Sequence, residues 1–181
     1  MTADLDSLLG RLVRDVADFP SPGVVFKDVS PLLADPDGLR TVVDALAAPG
    51  RDPGGAAVVD KVVGLEARGF IFGAPVALAL GTGFVPVRKA GKLPGATHRV
   101  SYALEYGEAV LEVQRDAFTP GDRVLIVDDV LATGGTVEAA AALVRQAGGK
   151  LRGVSVLLEL SFLRGRERLA GLDVHALVAT E

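Results

Sequence analysis

The sequence predicts an α/β fold: a single domain over residues 1–181 with a central, mostly parallel sheet flanked by helices. Three observations lead there. Short β-branched runs alternate along the chain with longer apolar segments of helical spacing, the order that strand–helix–strand units impose. The 181 residues, 49% of them hydrophobic, suffice to bury one substantial core. No internal repeat, linker or shift in composition divides the chain.

Leu5, Leu8, Leu9, Leu12, Val13 and Val16 recur at helical spacing, which predicts an amphipathic helix over 4–17. FPSPG, Phe19 to Gly23, ends it. VVFKDVSPLL then reads as extended, and Gly38–Ala47 as a helix. RDPGG, Arg51 to Gly55, is a turn before the strand AVVDKVVGL. GFIFGAPVALALG reads as a buried helix and GFVPV as a second strand. Residues 88–115 are polar, contain several glycines and partly alternate, so they predict a loop and hairpin projecting from the core. RVLIVDD is a third strand, VEAAAALVRQAGG a helix with a glycine stop, LRGVSVLLEL a fourth strand and LDVHALVA a fifth.

Composition excludes several classes. No apolar run approaches the roughly 18 residues a membrane span needs, and the acidic, amphipathic N-terminus does not read as a signal peptide. The chain has no cysteine, which removes disulfides and thiolate zinc sites, and only two histidines, His98 and His175, far apart in sequence. A net charge of -4 argues against general nucleic-acid binding. A reducing cytoplasm is the default compartment.

VLIVDDVLATGGT, Val124 to Thr136, carries the chemistry. Ligands of open α/β sheets sit at the carboxyl ends of strands, and Asp128 and Asp129 fall at such an end. The ATGGT turn of Ala132, Thr133, Gly134, Gly135 and Thr136 then opens a helix. Its glycines let backbone N–H groups converge, its threonines add hydroxyls, and the helix N-terminus favours negative charge, so it forms a phosphate cradle. Two carboxylates beside that cradle would repel phosphate. They suit ribose hydroxyls, or a magnesium ion holding them. Taken singly, the turn is ordinary turn chemistry, and the acids a solvated strand end or the magnesium site of a phosphotransfer receiver. The whole string is far more specific than its parts, and neither the dinucleotide nor the P-loop glycine pattern is present.

This string resembles the phosphoribosyl diphosphate motif of the type I phosphoribosyltransferases. FPSPGVVFKDVSPLL, GLEARGFIFG, FVPVRKAGKLPG, SYALEYG and ELSFLRGRERL resemble, in order from Phe19 to Leu169, the adenine phosphoribosyltransferases among them. The resemblance implies that family's fold, with residues 1–33 as an N-terminal helix and adenine-covering segment and 88–115 as a flexible lid. It implies transfer of ribose 5-phosphate from phosphoribosyl diphosphate to adenine, giving AMP and diphosphate. Asp128 and Asp129 would hold the ribose hydroxyls, with Mg2+ held mainly by the substrate and helped by one of these acids. Residues 132–136 would hold the 5′-phosphate. Arg68 matches the diphosphate loop; outside this context it reads as a surface arginine. Arg88, Lys89 and Lys92, otherwise a solvated charge run, match lid cations that stabilise the departing diphosphate. The arginine matching Arg88 is expected to reach a neighbouring subunit, so a homodimer is implied. Glu105 and Tyr106, otherwise hairpin residues, match lid residues near the reacting centre, with Glu105 accepting the N9 proton.

Strand geometry adds a reading of the base. In an extended segment the Val25 C=O and the Lys27 N–H point the same way. They complement adenine's N6 donor and N1 acceptor, whereas hypoxanthine and guanine present the reverse. Phe26 is a stacking candidate as well as a core candidate, with Leu131 and Leu160 for the other face. The family often carries arginine where Lys27 stands, which matters little if only the backbone reads the base. Alternatives are a phosphoribosyltransferase for another base, or a non-catalytic sensor of phosphoribosyl diphosphate. A sensor would be expected to add a DNA-binding domain, for which the residues before FPSPG are too few.

Overall fold

The structure, a computed structural model, describes residues 2–103 and 108–180. It divides into two compact units, residues 1–45 and 46–181.

The first unit opens with α1 (Thr2–Leu12), which is shorter than its apolar spacing predicts. The chain turns extended at Arg14 because β1 (Arg14–Ala17) pairs antiparallel with β2 (Val25–Asp28). Val16, assigned by spacing to the helix face, lies opposite Phe26 instead. Ion pairs lie across the ribbon: Arg14 to Asp28 at 2.6 Å and Lys27 to Asp15 at 2.7 Å. SPLL, expected to be extended, forms the short helix α2 (Ser30–Ala34), which has proline in its first turn, where the missing N–H costs nothing. α3 (Pro36–Ala47) follows at the predicted place. Gly38 in it packs close to Leu12 and Leu32, so this unit gathers its own apolar contacts.

The second unit is built on a sheet that has seven strands among the described residues, in the order β5-β6-β4-β3-β7-β8-β9. Its parallel part runs through β4 (Gly83–Lys89), β3 (Lys61–Leu65), β7 (Arg123–Leu131), β8 (Lys150–Leu160) and β9 (Val174–Thr180). The predicted hairpin exists as β5 (Thr97–Ala103) and β6 (Glu108–Gln114), but its strands do not project. β6 joins the edge of β4 through Arg88↔Glu112 and Lys89↔Leu111, and its Leu111 and Val113 are buried in the core. The alternation that suggested a solvated hairpin is that of a strand with its apolar face in the core.

α4 (Arg68–Leu80) and α5 (Gly135–Gln146) cover the sheet. Val63 and Leu65 of β3 join Ile126, Val154, Val156 and the buried residues of α5 in one cluster. Gly64, between them, faces the other way, against α4. α4 is not buried all round, since Leu78 is 81% exposed. The RDPGG turn is closed by Asp52 Oδ1, which accepts from the N–H groups of Gly54 and Ala56.

The α4–β3 contact depends on the absence of side chains. A Cβ on Gly64 would lie 2.6 Å from the Phe84 ring and 2.9 Å from the Gly69 carbonyl oxygen, and one on Gly73 would lie 3.2 Å from the Gly64 Cα. Phe84 can shift, but a helix backbone cannot without lifting α4. Gly64→Ala is therefore expected to cost about 1–3 kcal/mol of stability, as overpacked cores do, read as a lower urea midpoint. An unchanged midpoint would mean that α4 is not held this closely.

Candidate active site

β7 brings its apolar run into the middle of the sheet, hydrogen-bonded on both sides by β3 and β8. The strand passes through both acids and ends at Leu131, two residues beyond Asp129. Asp128 is partly exposed and accepts a hydrogen bond from the Asp129 N–H at 2.9 Å, while Asp129 is 5% exposed. Loss of water and the neighbouring Asp129 carboxylate push the Asp128 carboxyl well above the usual range, against a smaller opposing pull from Arg68.

The N-terminus of α4 supplies one cation. Gly69 lies so close to β7 that a Cβ there would be 2.7 Å from Asp128 Oδ1 and 3.0 Å from the Val127 carbonyl oxygen. That approach delivers Arg68, the preceding residue, whose Nε lies 2.5 Å from Asp129 Oδ2. The arginine proposed from sequence for an anion site thus meets the acid pair itself.

Beyond the acids, the chain turns through Ala132 and Thr133 to Gly134, which adopts a left-handed conformation (φ 81°) immediately before α5. Gly135 and Thr136 form the first turn of that helix, whose leading N–H groups have no partner within the helix. The segment Gly165–Arg168, the short helix α6, closes over this turn. A Cβ on Gly165 would overlap the Ala132 carbonyl oxygen. Arg168 bonds to Glu138 in the first turn of α5 at 2.5 Å, and Thr136 Oγ1 lies 3.4 Å from the Tyr102 hydroxyl. Sequence reasoning missed Gly165, Arg168 and Tyr102, although GRER and SY lie inside quoted segments. Their signal is spatial, since each meets the turn from a distant part of the chain.

A second cluster forms around Glu66, also missed from sequence. Its side chain is 7% exposed. It accepts from Lys92 Nζ at 2.7 Å, Arg88 Nη2 at 3.2 Å and the Lys89 N–H at 2.8 Å. Arg88 also lies over the Phe70 ring, 5.9 Å from its centroid. Two of the three candidate cations, Arg88 and Lys92, are therefore gathered within the chain at the residue two before Arg68, and Lys89 joins them through its backbone N–H.

Among the base candidates, Val25 is exposed, and Phe26 is half-buried and meets Phe19 edge to face at 5.1 Å, so Phe26 is not a core residue. Lys27 Nζ is held by both oxygens of Asp15, which gives its side chain a cross-strand role. Leu160 is partly exposed at the end of β8. Leu131 must be corrected: it is 1% exposed within the core cluster, leaving no surface for a base. Val130, on the opposite face of β7 by strand alternation, is the partly exposed residue. Glu105 and Tyr106 lie outside the described residues. Among the described residues, no group of three or more His, Cys, Asp or Glu side chains is placed to hold a metal ion.

Known proteins share this fold. A family model described as phosphoribosyl transferase domain matches residues 39–169. An adenine phosphoribosyltransferase of Nocardioides sp. is 65% identical over 167 residues, covering 92% of this chain and 90% of its own. The crystal structure of adenine phosphoribosyltransferase from Rhodothermus marinus superposes with a TM-score of 0.91 at 49% identity, covering 98% of this chain and 99% of that one. The Saccharomyces cerevisiae adenine phosphoribosyltransferase, complexed with an imino-altritol bisphosphate and adenine, gives 0.91 at 40% identity over 97% and 99% of the two chains. Among the described residues, no helix is long and apolar enough to cross a membrane. With an acid pair near the end of a central strand, a glycine turn opening the next helix, and relatives matched along nearly its whole length, this chain belongs to the phosphoribosyltransferase family, among the adenine phosphoribosyltransferases.

Proposed function

We propose that this chain transfers the 5-phosphoribosyl group of phosphoribosyl diphosphate to N9 of adenine, yielding AMP and diphosphate, a purine salvage reaction. The observation that carries the proposal is the junction of β7 and α5, where Asp128 and Asp129 stand beside a turn with Gly134 in a left-handed conformation. The acids take the ribose hydroxyls. The N–H groups and hydroxyls of residues 132–136 take the 5′-phosphate, which the start of α5 favours electrostatically.

The two carboxyl groups, with the Asp128 anion disfavoured by burial beside Asp129, fit a divalent cation as well as hydroxyls. Mg2+ would be held mainly by the substrate, with Asp128 or Asp129 contributing, and would supply positive charge to the diphosphate. As the C1′–oxygen bond breaks and the N9–C1′ bond forms, the leaving diphosphate gains charge. Arg68, Arg88, Lys89 and Lys92 stabilise it. Glu105 accepts the proton that N9 gives up, and Tyr106 lies in the same lid segment. The part of residues 88–115 that lies outside the sheet would act as the lid and shield the electron-poor C1′ from water. A homodimer in which Arg88 serves the neighbouring site, and a cytoplasmic location, complete the proposal.

Adenine is read by the Val25 C=O and the Lys27 N–H. The extended conformation of β2 supports this, because donor and acceptor then project to one side. Phe26, Leu160 and, in place of Leu131, Val130 offer apolar contact to the base.

Selectivity tests the base reading. kcat/KM for adenine should exceed that for hypoxanthine and guanine by about 10⁴-fold, since mispaired bases leave buried polar groups unmatched. Ratios within about tenfold would remove the backbone pair as the selector.

The acid pair carries a prediction with two signs. Asp128→Asn removes a charged acceptor worth about 1.5–3 kcal/mol, so calorimetry should show magnesium phosphoribosyl diphosphate binding about 10–100-fold weaker. The same change should stabilise the fold. A carboxyl pKa raised by folding adds stability below the ordinary carboxylate pKa, and that contribution is lost as pH rises through the folded value. At pH 7–8 the variant should melt a few degrees higher, the shift that ~1 kcal/mol gives in a chain of this size. The gap should close near pH 4, about the ordinary Asp pKa. Unchanged affinity and unchanged melting would reduce the pair to a solvated strand end.

Glu105→Gln should lower the single-turnover rate of AMP formation by about 10²–10⁴-fold with both KM values little changed. Wild-type turnover would assign the proton to another acceptor.

A further inference from the structure

Glu66 lies between β3 and Arg68, and its carboxylate is the point at which the candidate diphosphate cations converge. Oε1 accepts from Lys92 Nζ at 2.7 Å and Arg88 Nη2 at 3.2 Å, while Oε2 accepts from the Lys89 N–H at 2.8 Å. Arg88 Nη1 donates to the Lys92 carbonyl oxygen at 3.1 Å, which closes a ring through the loop after β4. The Glu66 N–H donates to the Val87 carbonyl oxygen at 3.1 Å, so the backbones of the two loops are joined as well.

Two cations four residues apart on long side chains repel one another and sample many rotamers in water. A carboxylate between them reverses both tendencies. Burial works against its charge, but Lys92, the Lys89 N–H and Arg88 outweigh it and hold the Glu66 carboxyl down at about 2. It is therefore ionised throughout the neutral range. One negative charge faces two positive ones, which leaves the cluster net positive. Arg88 directs two of its five N–H donors to Glu66 and the Lys92 carbonyl, and Lys92 directs one of three to Glu66, so donors remain for a ligand.

We propose that Glu66 is a positioning residue for the transfer reaction, fixing Arg88 and Lys92 beside the loop that carries Arg68 so that they meet the diphosphate already ordered. This rests on the reading that Arg88 and Lys92 bind diphosphate. It assigns to an acid, in a site for an anion, the task of lowering the ordering cost that the two cations would otherwise meet on binding. Gathering them serves a diphosphate bound by the same copy and one bound by a second copy alike.

The test is calorimetric titration of the full chain with diphosphate in saturating Mg2+, together with KM for each substrate. The proteins are wild type, Glu66→Gln, the double variant Arg88→Ala/Lys92→Ala, and the triple combination. Glu66→Gln keeps the shape of the side chain and loses its charge. It should bind diphosphate about tenfold more weakly, the lower end of what supporting contacts cost when removed. KM for phosphoribosyl diphosphate should rise in step while KM for adenine stays within about twofold. In the double variant the Glu66 substitution should have no further effect beyond about twofold, because its partners are gone. An equal loss in both backgrounds would show that Glu66 acts through the fold and overturn the proposal. So would unchanged binding in Glu66→Gln, and so would tighter binding, which would make Glu66 a competitor of the ligand. If Arg88→Ala/Lys92→Ala binds diphosphate as wild type does, the underlying assignment of the cations fails first and the proposal falls with it. Should Glu66→Gln not fold, Glu66→Asp in both backgrounds carries the same criteria, with a smaller loss expected because charge is kept and reach shortened.

Discussion

The close approach of α4 to β3 and β7 is the constraint on which the rest of the second unit depends. Gly64, Gly69 and Gly73 bring a helix backbone against a strand backbone with no side chain between them. Had the helix stood at the distance that ordinary side chains require, its first residue could not reach the end of β7. At this distance Gly69 touches Asp128 and Arg68 falls on Asp129. Glu66, two residues further back, falls within reach of the end of β4. A packing feature of the core thus sets the spacing of three charged groups.

Those groups are arranged so that no charge is left to the low-dielectric interior uncompensated. Asp129 is countered by Arg68, and Glu66 by Arg88 and Lys92. Asp128 is the exception, and its carboxyl is pushed toward the neutral form. The two clusters differ in sign. The β7 acids need positive charge, while the Glu66 cluster holds it in excess. A magnesium–diphosphate–sugar substrate presents both signs, so the proposed ligand complements the pair of clusters and neither cluster alone.

The sequence carried most of the second unit legibly because its elements are long and their apolar runs unambiguous. β7, β8 and α5 stand where the pattern put them, and the ATGGT turn opens α5 as expected. The acid pair was legible because it stands in one string with the apolar run before it and the ATGGT turn after it. Errors arose where short-range pattern competed with pairing. Leu12, Val13 and Val16 keep a helical spacing, but Arg14–Ala17 gains a partner strand in Val25–Asp28, and pairing prevails. The hairpin read as projecting because one of its faces is polar; its other face holds Leu111 and Val113 inside the core. Leu131 and Val130 show the cost of a one-residue choice in a strand, where neighbours face opposite sides and only one can meet a ligand. Glu66, Tyr102 and Gly165 could not be found by pattern, because each acts through a contact with a distant residue.

Lys27 shows how the two levels combine. Its place in VVFKD suggested that its backbone reads a base and left its side chain without a role. The ribbon gives the side chain one: Lys27 pairs with Asp15 directly across the strands, next to the Arg14–Asp28 pair. Exposed pairs of this kind contribute little stability singly. Their larger consequence is for register. A one-residue slip of β1 against β2 would bring Lys27 opposite Arg14 or Val16, removing an attraction and turning the Val25 and Lys27 side chains to the other face of the ribbon. An arginine at this position would satisfy the same acid. The residue type can therefore vary while the backbone that would select adenine stays where the ribbon's register puts it.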